Sequence, residues 1–101
     1  MSVVRDYTLM SPDEVRQHLP DMQALDVSKV ARTSAGFTGQ YLLNGPSILD
    51  NNATGSKITW RKTRANFIAR HLAQYRENPT KRRKLALIAW AYMPRNIKLK
   101  M

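Results

Sequence analysis

Residues 79–92 read PTKRRKLALIAWAY. Four consecutive cations, Lys81, Arg82, Arg83 and Lys84, run into eight residues without a charge, Leu85 to Tyr92. So short an apolar run also suits a strand. Its three alanines and the preceding Asn78-Pro79 decide for helix, because Asn78 can cap and Pro79 fits the first helical position. The pattern predicts a helix from Pro79 to about Tyr92, stopped by Pro94. A helix apolar on every side has no wet face, so it belongs at the centre of the fold.

Working upstream, residues 58–76 (ITWRKTRANFIARHLAQYR) contain neither Pro nor Gly. They predict a second long helix, with Thr59 as its cap. At 100° per residue, Trp60, Phe67, Ile68, Leu72 and Tyr75 gather on one broad side. Arg61, Arg64 and His71 fall at its margins, where long stems can pack while the heads stay wet. Lys62, Thr63, Asn66, Arg70 and Gln74 take the opposite side. Arg76 to Pro79 is the turn between the two helices.

The first half is less regular. Ser11-Pro12-Asp13-Glu14 has the elements of a capping box, with proline at the first helical position. That helix is predicted to be short because of Pro20. Asp21 to Leu25 reads as a turn or a brief second start. Asp26 can cap a further short helix with Val27, Val30 and Ala31 inward. Residues 33–45 suit an irregular packed segment, a short strand, or a helix beginning near Thr38. Pro46 to Leu49 suits one helical turn, and Asp50 to Ser56 (DNNATGS) reads as a loop. Residues 2–10 suit an edge strand or an extended arm.

The expected fold is therefore mainly α. It is a small compact helical domain with a central apolar C-terminal helix and an irregular N-terminal half. At 101 residues the chain makes one basic domain spanning 1–101. Its basic tail at 95–101 would pair as an edge strand, lie along the body, or fray.

Composition narrows the function classes. The 43% of hydrophobic residues argues against a wholly disordered chain. The longest apolar run, Leu85 to Met93, is far short of a membrane span. Cysteine is absent, which excludes disulfides, thiolate metal sites and cysteine nucleophiles. His18 and His71 lie in no His-x-x-x-His or Glu-x-x-His spacing, and no nucleophile motif surrounds any Ser or Thr. We expect neither catalysis, nor a metal, nor a cofactor. With no signal-peptide core in residues 1–10, the expected location is cytoplasmic or nucleoid-associated.

The net charge is +10, and it is divided unevenly. Residues 1–56 hold four cations and six acids, whereas residues 57–101 hold thirteen cations and one acid, Glu77. A field so concentrated attracts polyanions. The densest cluster, Lys81 to Lys84, occupies a helix start. Cations there oppose the partial positive charge of the free N–H groups, at about 0.3–1 kcal/mol each where exposed. A phosphate would supply the missing negative charge. The plainer account is a solvated cap held by Glu77 and by acids of the first half.

The expected partner is nucleic acid, DNA rather than RNA and duplex DNA in particular. Lys81, Arg82, Arg83 and Lys84 would anchor phosphates. Lys62, Asn66, Arg70, Arg95, Lys98 and Lys100 would extend the surface. Asn66 and Arg70 can also read base edges if that helix enters a major groove. A helix-turn-helix comparison fails on one count: residues 85–92 offer no reading side. Trp60 and Tyr75 could stack on bases, but their place on the apolar side favours the core. The alternative function is a structural or adaptor protein of a larger assembly, such as a virion or nucleoprotein particle. There the basic half would dock on an acidic protein or on packaged nucleic acid. Exposure of Phe37, Tyr41, Leu42, Trp90 or Ile97 would favour that alternative.

Overall fold

Ser11 starts the first helix by the chemistry its sequence offers. In the computed structural model, which describes residues 8–94, the Ser11 hydroxyl accepts from the Glu14 N–H at 3.2 Å. The Glu14 carboxylate accepts from the Ser11 N–H, also at 3.2 Å, which completes the capping box. This helix, α1, runs Pro12–Gln17. Pro20 does not leave a turn behind it. A second helix, α2 (Leu19–Ala24), begins after His18 and carries Pro20 in its first turn, where the missing N–H costs no helical bond.

The short helix expected after Asp26 does not form. Asp26 and Ser28 both have positive φ, 52° and 55°. The Asp26 N–H donates to the Gln23 carbonyl and the Val27 N–H to the Met22 carbonyl, the two bonds of a Schellman closure of α2. Aspartate tolerates this left-handed position better than most residues. Val27 and Ala31 are buried as expected, but Val30 points outward, 81% exposed.

Residues 37–44 settle on the helical alternative, as α3 (Phe37–Asn44), followed by a 3-10 helix over Gly45–Asp50. Two glycines let the preceding loop press onto α3. A Cβ on Gly36 would sit 2.4 Å from the carbonyl oxygens of Val30 and Ala31, and one on Gly39 would sit 2.1 Å from that of Thr33. These neighbours are backbone atoms, so nothing flexible can move aside.

The second half follows its pattern closely. α4 spans Trp60–Glu77, and the Thr59 hydroxyl accepts from the Lys62 N–H at 3.3 Å. α5 spans Lys81–Ala89, shorter at both ends than predicted. Thr80, not Asn78, is its cap, accepting from the Arg83 N–H at 3.2 Å. It ends before Pro94 because Ala91 turns left-handed at φ 60°. The Ala91 N–H then donates to Ile88 and the Tyr92 N–H to Leu87, a second Schellman closure. As predicted, α5 is central: Leu85, Leu87, Ile88 and Ala89 are all buried. They join Val15, Met22, Phe37, Ile68 and Tyr75 in one core. The architecture is mainly helical, with five α-helices and no strand among the described residues.

The last carbonyls of α5 determine much of the remaining packing. A helix leaves its final C=O groups without intrahelical donors. Here Thr38 of α3 donates its hydroxyl to the Ala89 carbonyl at 2.6 Å. Arg64 of α4 donates Nε to Trp90 at 2.7 Å and an Nη to Ala91 at 2.9 Å. The same guanidinium reaches the Thr8 carbonyl at 3.0 Å. The Met10 N–H also donates to Ala91, and the Tyr41 hydroxyl to Met10. Arg64 is thus inside the fold, only 6% exposed, and not at the margin of the apolar side.

Aromatic rings fill the space beside this junction. Phe37 stacks on Trp90 with centroids 4.7 Å apart, and Phe67 stacks on Trp90 at 4.6 Å. Tyr41 stacks on Phe37 at 5.5 Å, and His71 stacks on Phe67 at 3.9 Å. Trp60 meets Phe37 edge-on at 5.6 Å.

Candidate nucleic-acid interface

The four cations at the start of α5 have neighbours inside the molecule. Arg82 donates to the carbonyls of Leu25 and Asp26, the residues that close α2. Arg83 donates to the Gln74 carbonyl, in the last turn of α4, at 2.8 Å. The Lys81 ammonium lies 3.6 Å from an Asp21 carboxylate oxygen, both groups being exposed. Two helix C-termini therefore converge on one helix N-terminus. Their carbonyls carry partial negative charge, which offsets the cost of placing cations at the α5 start. The sequence offered acids or a phosphate as the compensation; the fold adds carbonyls, a source with no local signature.

These contacts leave donors free. A guanidinium has five N–H donors in a fixed fork, and Arg82 spends two while remaining exposed. Lys84 is half-buried and forms no ion pair among the described residues.

On α4, Lys62, Asn66 and Arg70 are all exposed. Their spacing of four puts them in one row, about 12 Å long from Lys62 to Arg70 at 1.5 Å per residue. Neither Lys62 nor Arg70 forms an ion pair among the described residues. Arg61, by contrast, turns to the first half and pairs with Asp50 at 3.1 Å. Arg95, Lys98 and Lys100 lie outside the described residues, as does most of the arm at 2–10. Trp60 and Tyr75 are core residues, 7% and 1% exposed.

Burial chiefly, then the charges of Arg70 and Arg83, hold the His71 pKa below its ordinary 6.5. The native ring therefore gives up its proton more readily than the ring of the unfolded chain. As pH falls below about 6.5 the unfolded state takes up that proton first, and stability declines. His71→Phe keeps a ring on Phe67 and removes the titration. Denaturant midpoints measured above and below that pH should fall less for the variant than for the parent. An equal fall in both would assign the effect to another group.

The apolar residues whose exposure would mark an assembly surface are largely internal. Phe37, Tyr41 and Trp90 are buried and Leu42 is half-buried, while Ile97 lies outside the described residues. No helix of the described residues is long and apolar enough to cross a membrane. No protein-family model, curated protein or solved structure matches this chain.

Proposed function

We propose that this protein binds nucleic acid through the phosphate backbone, with duplex DNA the favoured form. One observation carries the reading: thirteen of the chain's seventeen cations fall in residues 57–101, against a single acid. Lys81, Arg82 and Lys84 at the α5 start, with Arg70 and Lys62 along α4, would meet successive phosphates. Such contacts position a protein on nucleic acid without reading sequence. Asn66, in the same row, is the residue best placed to touch a base edge.

Binding to duplex DNA, single-stranded DNA and RNA should be measured across a salt titration. Each phosphate neutralised on a duplex contributes a slope of about −0.9 to log K against log salt. Five contacts predict a slope near −4.5 by the same relation, and tightest binding to the duplex. The variant Lys62→Gln/Arg70→Gln/Lys84→Gln leaves Arg82 and Arg83 at their structural carbonyls. It should flatten the slope by about 2.7. No binding at low salt, or an unchanged slope in the variant, would overturn the proposal.

A further inference from the structure

A pocket of about 490 Å³ opens beside the aromatic cluster. Phe37, Trp60, Phe67 and Trp90 line it, and the loop residues Lys29 and Val30 complete its wall. Its size is within the roughly 300–1,000 Å³ of sites that bury small organic groups. The lining is overwhelmingly apolar, so its occupant must contribute apolar or aromatic surface.

The wall of the pocket carries one cation. Lys29 is an exposed cation in the wall itself. It follows Asp26 by three residues, so it lies within about 11 Å of the backbone that Arg82 grips. A neutral apolar ligand would make no use of this charge. A nucleotide uses both features at once, because it joins a flat base to an anionic phosphate.

We propose that this pocket takes one unpaired nucleobase of a bound strand, while Lys29 holds an adjoining phosphate. The proposal rests on the phosphate-binding reading above and adds a site to it. It places the preferred target at an end, gap or junction of a duplex, where a base is free of its partner.

Both tryptophans of the chain line the pocket, so tryptophan emission reports its occupancy directly. A short oligothymidylate and a sugar–phosphate strand of equal length without bases are the two probes. At low salt both strands should bind. The base-bearing strand alone should shift the emission, and it should bind about fivefold or more tightly, the smaller end of what one base on aromatic rings supplies. Equal affinity and equal emission for the two strands would overturn the pocket proposal and leave phosphate binding standing. Failure of both strands to bind would overturn both. Ala35→Leu adds bulk at an exposed wall position, and Val30→Phe does so independently. Each should abolish the emission shift and the base-dependent gain, with the baseless strand bound as before. A base-dependent gain that survives in both variants would place the base elsewhere and overturn the proposal.

Discussion

Arg64→Met will lower the free energy of unfolding by about 3–5 kcal/mol, even though it keeps most of the side chain's volume. The guanidinium is the donor for the buried carbonyls of Trp90 and Ala91 and for the part-buried carbonyl of Thr8. Removing it strands acceptors whose desolvation is no longer compensated, at about 1–3 kcal/mol for each buried group. The Ala91 carbonyl retains the Met10 N–H, which keeps the total below a simple sum. At about 4–8 °C per kcal/mol for a domain of this length, the melting temperature should drop by roughly 20 °C. Arg64→Lys should recover only part of this, because an ammonium lacks the planar fork that reaches several carbonyls together. Thermal and urea unfolding of the two variants check the result. A loss under about 1 kcal/mol for Arg64→Met, typical of a surface position, would show that these bonds do not hold the junction.

Phe37→Ala is the second large effect expected, again about 3–5 kcal/mol. The ring is fully buried and contacts Tyr41, Trp60 and Trp90. Its removal forfeits transfer free energy and leaves a void in the centre of the aromatic cluster. Phe37→Leu separates bulk from ring geometry. It should restore most of the packing but not the stacking, which contributes about 0.5–1.5 kcal/mol per aromatic pair beyond area. Equilibrium unfolding of both variants, followed by tryptophan emission, measures the two parts. If Phe37→Leu equals the parent in stability, ring stacking contributes nothing here.

What was legible in the sequence follows from where each signal resides. The starts of α1 and α4 rest on Ser11, Glu14 and Thr59, whose side chains reach only a turn away, and both formed as read. The central place of α5 needed only its lack of a polar face. In the segment 26–31 the sequence pattern is ambiguous, because an aspartate suits a helix start and a left-handed helix end alike, and Asp26 closes the helix before it. The burial of Arg64 does have a local signal. Trp60, Arg64 and Ile68 follow at intervals of four, so the arginine lies in the middle of the apolar row and not at its edge. Its partners, Thr8, Trp90 and Ala91, stand far from it in sequence and leave no local trace. The same holds for the α5 cations. Four charges in a row are plain to see, but the carbonyls of Leu25, Asp26 and Gln74 are tertiary neighbours. The cationic row on α4 was readable from spacing alone, and the pocket was not, because α3, α4 and the 28–36 loop assemble it.

The junction at the end of α5 bears on the order in which the chain can fold. Ala89 to Ala91 receive donors from Met10, Thr38 and Arg64, segments that a ribosome releases long before them. During synthesis α1, α3 and α4 therefore emerge with their shared acceptors still missing, and the Arg64 charge has no interior to enter. Closure of the core therefore depends on residues 89–91, distant in sequence from every donor they receive.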